Sequence, residues 1–227
     1  FKTKMNTLKY QILKNNNVRI THPDTGRPIT LYRIYALRTF NTIVGEVKEG
    51  STGGFVESEV NLMQDDSSWI YHNGKVFDSA VIFDSVVQDD AKLFENCVVK
   101  ESYIGGKARI YGNSKVLYSE VYNNVDIYDE CIIENSQLHN SVEVGGHARV
   151  TESQLYDGCK VNQRAKVNKS KLKFGIQCTG LADLYNCQFT GTFTISTKRL
   201  NETVTNYPDL KIESGNASGT GNELDAF

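Results

Sequence analysis

The chain has 227 residues, 25 Lys plus Arg against 27 Asp plus Glu, with 39% hydrophobic and 10% aromatic residues. That composition excludes collagen-like, disordered and disulfide-scaffold classes, and the length suffices for one domain, or for one large and one small domain. There is no apolar run long enough for a membrane span and no signal-like apolar centre near the start, so the expectation is no membrane contact and a cytoplasmic location. The five cysteines include no CxxC spacing, which argues against a zinc knuckle or a redox motif.

In chain order, residues 1–66 read as a small antiparallel β cap. Tyr10–Leu13, Val18–Ile20 and Ile29–Ala36 have the texture of strands, separated by the Asn15–Asn17 run and by a turn at Pro23–Gly26. Met5 is a candidate start, with the first four residues as an upstream extension.

From Trp69 onward, apolar residues recur at spacings of six, six and five, a period of seventeen. The first column runs Ile70, Val87, Ile104, Val121, Leu138, Leu155, Leu172, Phe189; the second runs Val76, Leu93, Ile110, Ile127, Val144, Val161, Cys178, Ile195; the third runs Ile82, Val99, Val116, Ile133, Val150, Val167, Leu184. Small residues stand two positions earlier, most regularly Ser68, Ser85, Ser102, Ser119, Ser136 and Ser153 ahead of the first column. In a strand both members of such a pair face inward. Three short faces per turn, with Asn, Asp or Gly at corners such as Asn73, Asp90 and Gly112, describe a three-faced parallel β-helix over residues 67–190. Its coils stack about 4.8 Å apart. Each coil buries its apolar face against its neighbours, so both ends require caps. Ile176 and Phe193 at small-residue positions mark a loss of regularity near residue 190. Residues 191–227 read as a C-terminal cap followed by a flexible Gly-, Asn- and Ser-rich tail.

The junction strings Tyr32-Arg-Ile-Tyr-Ala-Leu37, Gly53-Gly-Phe-Val-Glu57, Asn61-Leu62 and Trp69-Ile70, together with the repeat, resemble the YdcK-like β-helix proteins of phages, prophages and enteric bacteria. The resemblance spans roughly residues 9–190. It implies an all-β, left-handed parallel β-helix related to the hexapeptide acyltransferases, and a homodimer. It implies no particular reaction, because fold does not determine chemistry.

Hexapeptide acyltransferases use a histidine base at a subunit interface, and His147, between Gly146 and Ala148, is the weak candidate here, its glycines leaving room for a substrate. The unbroken coils leave no space for the projecting loop that shapes such a pocket. His139 and His147 fall on different sides of the prism, so no metal or cofactor is expected. Cys97, Cys131, Cys159, Cys178 and Cys187 occupy inward positions as small core residues; Cys97 and Cys131, two coils apart, are beyond disulfide reach.

The outward positions are more informative. Phe77, Phe94, Tyr111 and Tyr128 follow the second column on successive coils, with Lys75, Lys92 and Arg109 just before it. That strip is the candidate binding surface for planar or anionic groups. Val81, Phe83, Val98, Leu117 and Ile132 form an apolar exterior on another face, the candidate homodimer interface. Lys160, Arg164, Lys166, Lys169, Lys171 and Lys173 make the far end basic; spread around all three faces, they read as a solvated rim, the alternative being attraction of an anionic partner such as nucleic acid or a phosphorylated ligand. The expected function is a non-catalytic interaction scaffold, an accessory protein of phage or prophage origin that binds a host or viral macromolecule. The alternatives are an acyltransferase-like enzyme working at a dimer groove and a protein binding nucleotides or other anionic ligands.

Overall fold

The computed structural model describes residues 8–161 with their side chains and, beyond them, the backbones of six further strands from Lys166–Asn168 to Thr194–Ile195. The side chains of Cys178 and Cys187, the basic residues from Arg164 to Lys173, the expected irregularity near residue 190 and the C-terminal cap and tail lie outside the described residues.

Strands β1 (Tyr10–Thr21) and β2 (Pro28–Ala36) pair antiparallel. The Asn15–Asn17 run does not interrupt β1 as expected. It is absorbed as a bulge: Leu13 pairs with Arg33 and Asn17 already with Tyr32, and the Asn17 amide donates to the Lys14 carbonyl at 2.9 Å. Extra residues on one strand bend it and increase its twist. Next come the hairpin strands β3 (Phe40–Thr42) and β4 (Gly45–Val47), then β5 (Thr52–Val56). β5 pairs antiparallel with β2 on one side and parallel with Lys75–Val76 on the other. The N-terminal sheet is therefore continuous with one face of the coils and protects that face's open edge.

From Trp69 the chain winds through three parallel sheets. Strands 17 positions apart pair in register, as in Ile82–Val99–Val116–Ile133–Val150 on the third face. The residues of all three columns through Val161 are fully buried, which bears out the seventeen-residue period. Every described corner turns on residues of positive φ. Between the first and second faces these are His72, Asp89, Gly106, Asn123, Asn140 and Asp157, one position before the expected Asn73 and Asp90. Asn and Asp tolerate this left-handed geometry better than most residues.

The serine column faces inward. Ser85 Oγ donates to the Phe83 carbonyl at 2.6 Å and accepts the Ser102 N–H at 3.1 Å; Ser102, Ser119 and Ser136 repeat the pattern on successive coils. At the head of the ladder Ser68 Oγ donates instead to Asp66 Oδ2 at 2.6 Å. Asp66 in turn receives the buried Lys9 ammonium at 2.8 Å, so the N-terminal segment closes the first coil with an ion pair.

Gly53 and Gly54 make this junction possible. A Cβ at Gly53 would stand 2.6 Å from the Trp69 ring, and one at Gly54 would stand 2.5 Å from the Gly74 carbonyl. Trp69 points outward but is buried, under the edges of the Tyr10 and Phe40 rings.

Candidate functional site

On the second face, the ladder Phe77, Phe94, Tyr111 and Tyr128 points outward as expected, with successive ring centroids 5.2, 4.8 and 5.7 Å apart. Its first two rungs are not surface. Phe77 and Phe94 are fully buried beneath the β1–β2 hairpin, whose Ile29 and Leu31 pack on them with Phe55. The reason is the turn of that hairpin: His22, itself buried, presents its ring at right angles to both phenyl rings. Its Nε2 lies 3.0 Å from Asp78 Oδ2, while Nδ1 accepts the Asp24 and Thr25 N–H groups. Nε2 is thus the protonated nitrogen and the donor to Asp78. Arg27 bonds the same carboxylate. The expected four-rung exposed strip is corrected to Tyr111 and Tyr128, both half-buried, with the Tyr128 hydroxyl donating to Glu143 at 2.8 Å.

The neighbouring cations divide in the same way. Arg109 is held by both oxygens of Asp126, at 2.7 and 2.5 Å. Lys75 and Lys92, half-buried and in register, form no ion pair among the described residues.

The first face carries a groove that the outward pattern of the second and third columns does not reveal. Its volume is about 640 Å³. Tyr103, Glu120, Gln137 and Gln154 line it from the face, Glu101, Tyr118 and Glu152 from the corner, and Ile43 from the β3–β4 tip. Gln137 Oε1 accepts from Gln154 Nε2 and from the Tyr156 hydroxyl, both at 3.1 Å, which orders these side chains. Glu120 Oε1 lies 3.2 Å from His139 Nε2 but off the direction of a ring N–H bond. Burial raises the Tyr103 hydroxyl to about 12, so it is a neutral donor at physiological pH. Ile43 and Val44 are about half exposed. The signal available in the sequence was the polar column Glu120, Gln137, Gln154, also seventeen apart. The approach of Ile43 had no local signal.

The apolar exterior of the third face, Val81, Phe83, Val98, Leu117 and Ile132, is half-buried at every position and is interrupted by Lys100 and Lys115. His147 is exposed at a corner, with Nδ1 2.9 Å from Glu130. The glycines beside it serve packing: a Cβ on Gly145 would lie 2.2 Å from the Tyr128 ring, and Gly146 turns the corner at φ +72°. His139 lies on the first face and His147 at a corner beyond the second, and no cluster of three or more metal-ligating side chains occurs among the described residues. Burial pushes the Cys131 and Cys159 thiols up to about 12 and Cys97 higher; all three are free and buried. No helix among the described residues is long and apolar enough to cross a membrane.

Comparison of the chain with family models and with curated proteins finds no match.

Proposed function

We propose that this β-solenoid is a non-catalytic interaction scaffold that binds a host or viral macromolecule in the groove beside the β3–β4 tip. The junction strings resemble those of the YdcK-like proteins of phages and prophages, and that resemblance supports a homodimer acting in the host cytoplasm. The observation that carries the reading is the groove: tyrosine rings, three carboxylates and ordered carboxamides along one face of the coils, lined also by an exposed aliphatic tip. Concave sites with a few convergent polar groups are the usual binding sites of a protein. The hydroxyls of Ser85, Ser102, Ser119 and Ser136 each serve a carbonyl and an amide, and the thiols of Cys97, Cys131 and Cys159 are buried and protonated.

The test is capture of partners from host cells by the wild type and by Ile43→Ser with Tyr118→Ala. Both positions are exposed, so the melting temperature should stay unchanged. A captured partner that also binds the wild type in purified form, and binds the variant at least roughly tenfold more weakly, supports the reading. Equal binding by both removes the groove from the function.

A further inference from the structure

A row of residues crosses the second face in register: Arg33, Phe55, Lys75, Lys92, Arg109, Asp126, Glu143 and Lys160. The lower half of the row is neutralised within itself, because Arg109 pairs with Asp126 and Lys160 with Glu143 at 3.0 Å. The upper half is not. Arg33, Lys75 and Lys92 are all half-buried and form no ion pair among the described residues.

Two of the three are nevertheless held in place, and strand register sets Lys92 beside Lys75. Arg33 lies over the Phe55 ring at 4.1 Å and donates from Nη1 to the Gly53 and His72 carbonyls. Lys75 lies 5.6 Å from the centre of the same ring and donates to the Asn73 carbonyl at 2.7 Å. Carbonyl acceptors and an aromatic face hold a cation in place without cancelling its charge. Like charges directly opposite on adjacent strands repel. Burial, then Lys92 and Arg33, hold the Lys75 ammonium below its usual range, with Asp90 as the opposing influence.

We propose that Arg33, Lys75 and Lys92 form a binding site for a compact dianionic oxyanion, as inorganic phosphate or the phosphate of a small monoester. A tetrahedral group accepts from several converging donors, and the guanidinium edge not used by Gly53 and His72 remains available to it. The row itself limits the size of the ligand: a polyanion lying along the face meets Asp126 and Glu143 beyond Arg109. The site is separate from the groove on the first face and does not rest on its occupant.

The decisive variant is Lys92→Glu. It places a carboxylate between Lys75 and Arg109, so it removes the attraction for an anion and relieves the repulsion together. Isothermal titration with inorganic phosphate and with glucose 1-phosphate should show saturable binding by the wild type, and tighter binding of one of them identifies the source of the group. Lys92→Glu should weaken it at least roughly tenfold, while exposed Lys115→Gln leaves it intact. In chloride at matched ionic strength, Lys92→Glu should melt no lower than the wild type. The proposal is overturned by absence of saturable binding to both probes, by unchanged binding in Lys92→Glu, or by a lower melting temperature of that variant in chloride, which would make Lys92 a structural residue. Tighter binding of a single-stranded oligonucleotide, also lost in Lys92→Glu, would overturn the compact-anion form.

Discussion

Asp66→Asn is expected to be among the most damaging conservative substitutions at the N-terminal end of the rod. The carboxylate accepts four bonds: Oδ1 from Lys9 Nζ at 2.8 Å and Ser68 N at 3.0 Å, Oδ2 from Ser68 Oγ at 2.6 Å and Asp84 N at 2.9 Å. A carboxamide has one acceptor oxygen, so in either orientation its NH2 faces two donors. The fully buried Lys9 then loses its counter-ion, and breaking such a pair from one side costs about 3–5 kcal/mol. Lys9→Met is milder, about 2 kcal/mol, because Asp66 keeps three donors and some solvent contact while the Asp66 and Ser68 carbonyls lose one. In the double variant the losses should sum to less than the two singles. Equilibrium urea unfolding at pH 7 measures this, with two spectroscopic probes checked for coincident transitions.

The pH dependence has a definite sign. Burial opposes ionisation of Asp66, but the bonds from Lys9, Ser68 and Asp84 outweigh it and hold the carboxyl below its ordinary range. Its stabilisation is complete above the unfolded carboxyl's titration near about pH 4 and is lost as pH falls through the lower folded value. Asp66→Asn should therefore flatten that acid limb. Burial also lowers the Lys9 ammonium despite Asp66; its charge is a cost at neutral pH that is relieved as pH rises toward the unfolded lysine's range, so wild type should gain on Lys9→Met there. A loss in Asp66→Asn of less than about 1 kcal/mol, or one no larger than in Lys9→Met, would refute the reasoning.

Val116→Asp puts an unpaired charge at a fully buried mid-rod position and should cost more than about 4 kcal/mol, seen as loss of the folded circular dichroism signal. The native protein at pH 8 should resist alkylation at Cys131 and Cys159, whose thiols titrate near 12, and react fully in urea; rapid native labelling would contradict their burial. If the third face joins two copies, Leu117→Glu with Ile132→Glu should give a monomer by light scattering where the wild type is a dimer; a monomeric wild type at micromolar concentration refutes that interface.

The coils were legible from local pattern because each strand repeats the same demand. A residue at position i and its relatives seventeen positions on meet the same neighbours, so column, inward serine and corner residue recur visibly, with Val116 and Ser102 identifiable before any coordinates. Even the one-residue offset at the corners, His72 in place of Asn73, lies within what a turn composition can specify. The exposed strip and the groove were only half legible. Outward direction follows from period two, but exposure depends on what else in the chain arrives there. Phe77 and Phe94 point outward yet are covered, because β1 absorbs its asparagine run as a bulge and carries His22 across the face to Asp78. Lys9, polar and near the start of the chain, is buried because Asp66 and two carbonyls converge on its ammonium.

The sequence by itself determined the rod: its period, its buried columns and its inward serine ladder, all set by contacts between nearly identical neighbours. Only the tertiary structure decided the N-terminal end and the surfaces, namely the covering of the upper aromatic rungs, the placement of Ile43 at the groove and the meeting of Arg33 and Lys75 at the Phe55 ring. Those contacts join residues of unrelated local pattern across non-repeating stretches of chain. Their geometry depends on how the antiparallel strands bend and pair, which no fixed spacing records.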